Sequence, residues 1–428
     1  MKAADKGYNI VYADVFKSQT PRLLAALVNN DEASEEEAPE ITEIRSFDYS
    51  KLPLDANTED RLQEIHKGET GNILLTGATG FLGIHVLHEY LTTRTGDIYC
   101  LLRGDAPDHR LKQLYFYYFD EDLNPYFTEG RITVINGDIT DTDSLEKAKE
   151  YPFDTLINCA ALVKHFVKDD SLERINVQGV RNLIALCKEK GKRLIQTSTV
   201  SVAGEGMDGT PPRDFRLKEN VLYRGQLLDN AYTLSKFKAE KAVLEAVSEG
   251  LDGKIMRLGN LMGRHSDGEF QVNYSSNAFI RTLASYKAIG AIPYSILNAV
   301  TDFSEIDMTA KAILLLAGTP KEFTVFHPVN NHVVTYADIV YSMREYGFTV
   351  ESVEDSEFAV RMKNAGNASS ALSAYNTRDG AERRYIIDQN CDFTTNALYR
   401  LDFKWPVSGE KYIIMMIKAL DELTMFEE

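Results

Sequence analysis

The chain has 428 residues, 47 of them basic and 64 acidic, for a formal net charge of −17. With 44% hydrophobic residues, 27 glycines and 12 prolines, it is composed like a globular protein of one large or two modest domains. That excludes a disordered, collagenous or disulfide-scaffold chain. The negative balance also argues against a binder of nucleic-acid backbone, because such affinity rests on cationic neutralisation.

No two of the four cysteines (Cys100, Cys159, Cys187 and Cys391) are close enough for a CxxC motif. Neither a metal site nor a structural disulfide is expected, and a reducing cytoplasm suits the chain. Residues Met1–Asp5 lack an apolar leader. The longest apolar candidate, near Ala312–Ala317, falls far short of the ~20 residues a bilayer needs.

In chain order, residues 1–30 carry Asp14-Val15-Phe16 and then Thr20-Pro21 before an apolar run, Leu23–Val28. Thr20 can cap a helix there, with Pro21 in its first position. Residues 31–44 are acidic and nearly free of apolar side chains, so residues 31–69 read as an acidic linker and lead-in. From residue 70, short apolar strands alternate with helical patterns. Strands are predicted at Asn72–Thr76, Asp97–Leu102, Arg131–Ile135, Phe153–Asn158, Lys192–Thr197 and Lys254–Leu258, with helices notably at Ser171–Lys188 and Asp229–Glu249. This predicts an α/β fold, a Rossmann-type doubly wound parallel sheet over residues 70–265. A smaller, mostly helical substrate-binding region follows at 266–428, with helices at Tyr336–Tyr346 and Glu410–Leu423 and a loop at Asn364–Tyr375. The aromatic run Tyr115–Phe119 reads as helix core.

The first strand leads into Thr76-Gly77-Ala78-Thr79-Gly80-Phe81-Leu82-Gly83. Gly77 suits a tight turn, Gly80 a close approach to a pyrophosphate, and Gly83 close packing of helix on strand. The helix N-terminus would hold the anion. Arg103 ends the second strand, where an acidic residue would bind the ribose of NAD. Arginine suits a 2′-phosphate instead, so NADPH is the expected cofactor. Arg110 either reinforces it or is a solvated charge. Asp138 and Ile139 follow the third strand and Ala160 and Ala161 the fourth, all lining the expected crevice.

The fifth strand ends in Thr197-Ser198-Thr199, and a later helix carries Tyr232 and Lys236 at i and i+4, on one face. An ammonium beside a phenol favours tyrosinate, which predicts a Tyr232 that gives up its proton more readily than the usual ~10. Tyr232 would exchange a proton with a carbonyl oxygen, Thr199 would donate a hydrogen bond to that oxygen, and Lys236 would reach the nicotinamide ribose. Thr197, on the same side as Thr199, is placed against the cofactor. Asn176 either orients Lys236 through water or is a satisfied buried amide.

These motifs together resemble the extended short-chain dehydrogenase/reductase family over about residues 70–340. More narrowly they resemble the terminal thioester reductase domains of non-ribosomal peptide synthetases, with the reductase domains of carboxylic acid and aminoadipate reductases. The residues that narrow it are Gly77–Gly83, Leu101-Leu102-Arg103, Ser198–Val202, Arg257–Arg264 and Asp302–Asp307. The resemblance adds Gly259, Asn260 and Leu261 to the cofactor site. It implies NADPH-dependent reductive release of a carrier-bound acyl or peptidyl thioester as an aldehyde, or further as an alcohol. Residues 1–30 resemble the last helix of a peptidyl carrier domain, though an ordinary amphipathic helix fits too. An upstream carrier domain with its phosphopantetheine arm is the implied partner, and residues 205–228 the implied substrate-mouth insertion. The rival readings are a nucleotide-sugar epimerase or reductase, a non-catalytic NADP-binding module and a redox-independent cyclase.

Overall fold

The computed structural model describes residues 39–163, 169–204, 216–228, 230–365 and 391–423. The carrier-like helix expected within 1–30, the acidic residues 31–38 and most of the loop expected at Asn364–Tyr375 lie outside the described residues.

Seven strands form one parallel sheet: β1 Ile73–Thr76, β2 Ile98–Leu102, β3 Ile132–Asn136, β4 Thr155–Asn158, β5 Arg193–Thr199, β6 Gly253–Leu258 and β7 Val325–Phe326. Their spatial order is β7-β6-β5-β4-β1-β2-β3. The chain leaves β1 toward β2 and β3, then returns to place β4 on the other side of β1. That reversal opens a crevice above the carboxyl ends of β1 and β4, where ligands of such sheets bind.

Both faces of the sheet are covered, which is why β1, β2 and β4 carry continuous apolar runs rather than an alternating pattern. Ile73, Leu75, Ile157, Ile195 and Met256 pack on one face, against helices α1 (Phe81–Thr93) and α5 (Ile306–Ala317). Leu74, Leu156, Leu194 and Ile255 pack on the other, against α3 (Gly179–Lys190) and α4 (Ala231–Ser248). Helix α2 (Pro107–Phe119) holds the aromatic run. Its spacing buries Tyr115 and Tyr118 and leaves Phe116 and Tyr117 exposed, so only half of that run is core. A third cluster, including Phe270, Leu283, Phe303, Met343 and Ile417, forms the helical C-terminal region. Its helices include Tyr336–Tyr346 and α7 (Glu410–Glu422), whereas α6 (Asp392–Arg400) buries Phe393, Ala397 and Leu398 in the sheet core.

Three features differ from the sequence reading. Residues Pro39–Ser46 form a helix rather than linker. Ile44, Leu52 and Leu54 are buried in the same core as α4, and Asn57 donates to the Val325 carbonyl at 2.7 Å. The few apolar residues of this acidic stretch therefore serve to cover the sheet edge at β7. Strand β7 itself went unpredicted because two residues give no periodicity. The helix expected from Ser171 begins as a π-helical turn, Glu173–Gln178, a geometry found mostly at functional sites. Among the described residues no helix is long and apolar enough to cross a membrane.

Candidate active site

Each glycine of the β1–α1 loop has a distinct reason to be there. Gly77 has φ +74°, and a Cβ on it would meet the Cys159–Ala160 peptide at 2.6 Å. Gly83 lies under the turn, where a Cβ would stand 2.1 Å from the Gly77 oxygen. At Gly80 a Cβ would meet only that oxygen, at 3.2 Å, so its outer side faces the open crevice. Gly80 is also the N-cap of α1 and supplies no capping side chain, which leaves the first N–H groups of a 13-residue helix for an anion. Phe81 and Leu82 are half-buried, their side chains packed against the core. The loop therefore fits a pyrophosphate.

The crevice floor is cross-linked by buried amides. Thr76 Oγ1 donates to Asn158 Oδ1 at 2.5 Å, and Asn158 Nδ2 donates to Gln196 Oε1 at 2.8 Å. Asn158 Oδ1 also accepts from the Ala160 backbone, at 3.1 Å. Thr197 Oγ1 donates to the Asn158 carbonyl at 2.8 Å. This locks the ends of β1, β4 and β5 together and leaves Ala160 and Ala161 half-buried at the crevice wall. Thr76 and Thr197 thus brace the floor with their hydroxyls, while Thr79 is half-buried in the loop.

Arg103, exposed just beyond β2, points its guanidinium toward Asp138 at 3.5 Å. Arg110, on the second turn of α2, is exposed. Burial opposes ionisation of Asp138, yet hydrogen bonds from Thr140 and the Arg103 charge outweigh it and hold the carboxyl below its usual range. Ile139 is buried against Gly179, so it shapes the wall through packing.

Thr199 closes β5 and caps the short helix Val200–Ala203, its Oγ1 accepting from Ser201 N and donating to Ser201 Oγ, both at 3.1 Å. Ser198 Oγ is buried with no hydrogen-bond partner among the described residues. Asn230 caps α4 by accepting from the Tyr232 and Thr233 N–H groups, which fixes Tyr232 in the first turn. Lys236 Nζ donates to the Thr197 carbonyl at 3.2 Å and lies 6.0 Å from the Tyr232 ring centre. The structure so brings Lys236 to Tyr232 and to the strand end that bears Thr199.

The proton affinities differ from the sequence reading. Burial pushes the Tyr232 phenol up to about 12 rather than lowering it. Burial pulls the Lys236 amine down to about 8, while Glu240 and Cys159 act the other way. Near neutral pH Tyr232 is a protonated phenol, the form a proton donor requires.

Two amides are held by tertiary contacts, and Asn176 takes the second of its two expected roles, that of a satisfied buried amide. Asn176, in the π-helical turn, accepts from Leu162 N at 2.8 Å and donates to the Leu162 carbonyl and to Ser235 Oγ, each at 3.0 Å. It therefore clamps the β4 exit loop to α4 directly. Beyond β6, Gly259 packs against Asp302, where a Cβ would clash at 2.1 Å. Asn260 gives its backbone N–H and its side-chain amide to Asp302, at 2.8 and 2.9 Å. Leu261 pairs with Ser304 in a two-stranded ladder. This segment is thus held by the buried Asp302, a role that no local pattern around that residue reveals.

Residues 75–313 match the NAD-binding family described as male sterility protein. A thiolation-reductase di-domain from an archaeal non-ribosomal peptide synthetase is 36% identical with a TM-score of 0.89, the match covering 99% of this chain and 90% of that one. The chain belongs to the family of non-ribosomal peptide synthetase reductase domains. The reductase domain of the aureusimine cluster is 25% identical with a TM-score of 0.72, over 91% of this chain and 99% of that one. A linear gramicidin synthase of Brevibacillus parabrevis is 27% identical over 367 residues, 81% of this reductase domain. The chain spans only 7% of that synthase's length. The family is that of NAD(P)-dependent reductases of the extended short-chain kind, which use a nicotinamide cofactor.

Proposed function

We propose that this reductase domain releases a carrier-bound acyl or peptidyl thioester as an aldehyde, with NADPH as its cofactor. The observation that carries the reading is the junction of Lys236 with the Thr197 carbonyl, which sets the Tyr232 helix against the Thr199 strand end at the mouth of a dinucleotide crevice. Bound in this crevice, NADPH would supply the hydride that the thioester carbonyl carbon receives. Thr199 would donate a hydrogen bond to the oxygen as it becomes negative, and Tyr232 would deliver the proton. Lys236, as ammonium, would stabilise the tyrosinate left behind and hold the nicotinamide ribose. When the resulting hemithioacetal collapses, its hydroxyl proton returns to the Tyr232 oxygen, the C–S bond breaks, the departing pantetheine thiolate takes a proton from solvent and the aldehyde leaves. The balance is thioester, NADPH and one proton to aldehyde, thiol and NADP⁺.

The thioester would arrive on the phosphopantetheine arm of a carrier domain, entering past the segment 216–228. Thr76–Gly83, Asp138, Ile139, Ala160, Ala161 and Gly259–Leu261 would shape the cofactor groove. Arg103, reinforced by Arg110 from α2, would receive the 2′-phosphate. Arg103→Ala is expected to raise KM for NADPH by about tenfold to a hundredfold, the loss of one charge-assisted bond of ~1.5–3 kcal/mol, and to leave KM for NADH unchanged. Steady-state oxidation of each nicotinamide with an acyl-pantetheine thioester checks this. An equal loss with both cofactors would remove Arg103 from phosphate recognition.

A further inference from the structure

Along α4, Tyr232, Lys236 and Glu240 recur every fourth residue and so lie on one helix stripe. All three are buried. The Glu240 carboxylate receives Arg257 Nε at 2.9 and 3.2 Å and Arg257 Nη2 at 2.8 Å, and both side chains are wholly excluded from water. The remaining arm of Arg257 leaves the helix. Its Nη1 donates to the Val221 carbonyl at 3.0 Å and the Lys218 carbonyl at 3.4 Å, and meets His327 Nε2 at 3.1 Å.

The Lys218–Val221 turn belongs to the segment that leads from the expected substrate mouth into α4. Two further contacts fix it. Glu219, inside the turn, accepts from Thr394 N at 2.9 Å and Thr394 Oγ1 at 2.8 Å, on helix α6. Gln226 Nε2 donates to the Val202 carbonyl at 3.1 Å, in the short helix that Thr199 caps. The mouth segment, the catalytic helix and the Thr199 strand end therefore meet around one buried ion pair. Such a pair is a poor way to gain stability, since apolar residues of similar volume often do as well. Its position gives it other work.

We propose that Glu240 and Arg257 are positioning residues for the reduction: Glu240 keeps the Lys236 amine charged from one turn away, and Arg257 ties the same helix to the substrate-mouth segment. This rests on the roles given above to Tyr232 and Lys236. The groups facing Lys236 are Glu240 and Tyr232 from its own helix and Cys159 from the end of β4. Arg257, with Glu219 and His327 near it, faces Glu240 from the other side. Without the carboxylate, burial acts on the amine with little opposition and the ammonium is lost at lower pH.

The test is the pH profile of NADPH oxidation with an acyl-pantetheine thioester in wild type, Glu240→Gln/Arg257→Met and Arg257→Lys. The double variant leaves neither member of the ion pair as a lone buried charge. Its alkaline limb is expected about one pH unit lower than that of wild type, and its KM for the thioester about fivefold higher. Arg257→Lys retains the charge but not the fork, so it is expected to keep the limb and raise KM alone. A folded double variant with the wild-type limb overturns the role of Glu240, and a folded Arg257→Lys with wild-type KM overturns that of Arg257. Lysine-selective NMR titration of the wild-type protein, with Lys236 assigned by Lys236→Met, reads the amine without turnover. A Lys236 that is neutral throughout pH 6–7 contradicts the inference even if no thioester is reduced. An absence of reduction with a charged Lys236 counts against the functional reading alone.

Discussion

Replacing Tyr232 with phenylalanine is expected to lower kcat by about 10²–10⁴-fold while leaving the dissociation constant for NADPH nearly unchanged. The ring stays where it is, because it is buried and its helix start is fixed by the Asn230 cap through backbone N–H groups. Only the hydroxyl goes. That hydroxyl carries a proton at neutral pH because burial pushes its affinity up to about 12, and reduction of a carbonyl needs a donor at the moment the oxygen becomes negative. Thr199 can still offer a hydrogen bond but cannot lose its proton to the product. Steady-state rates and fluorescence titration of NADPH separate the two effects. A variant that retains a tenth or more of wild-type kcat would place the proton donor elsewhere.

The second large effect is expected at Gly83. A Cβ there would lie 2.1 Å from the Gly77 oxygen, 2.7 Å from the Gly77 carbonyl carbon and 2.9 Å from Ala78 Cα. All three are backbone atoms. Gly77 cannot retreat, since it is pressed against the Cys159–Ala160 peptide with φ +74°. Overpacking of this kind costs ~1–3 kcal/mol, only partly offset by the better helix propensity of alanine, worth ~1 kcal/mol. Gly83→Ala is expected to displace the loop and raise the NADPH dissociation constant by about tenfold to a hundredfold. Gly80→Ala gives the contrast. Its Cβ meets only one atom, at 3.2 Å, so the melting temperature should stay near wild type while NADPH binding is lost to a methyl group standing in the pyrophosphate's place. Thermal melts with and without NADPH distinguish the two. If both variants bind NADPH as wild type does, the loop does not hold the cofactor.

Much of this was legible in the sequence for a physical reason. Strands buried on both faces carry short apolar runs, so β1 to β6 announce themselves, and a glycine loop between strand and helix places the crevice. The Tyr232–Lys236 pair was legible because a helix puts i and i+4 on one face. What escaped were features set by tertiary contact. The two-residue β7 has no period to read. The helix Pro39–Ser46 sits in an acidic stretch whose few apolar residues matter only once the sheet edge they cover exists. The Tyr232 phenol was expected to be more acidic because its ammonium neighbour is visible in sequence, whereas the larger effect, burial, is not. That Asn260 is held by Asp302, 42 positions later in the chain, is likewise a contact that no local pattern shows.

The central claim is that hydride reaches a thioester carbon in this crevice. The most direct measurement uses NADPH deuterated at nicotinamide C4, on each face in turn, in a single turnover with a carrier-loaded acyl thioester and mass spectrometry of the released product. An aldehyde carrying one deuterium at its carbonyl carbon from one face only, with one NADPH consumed per thioester, is the expected result; an alcohol would carry two and consume two. Release of an unlabelled acid or cyclised product, with NADPH intact, would contradict it.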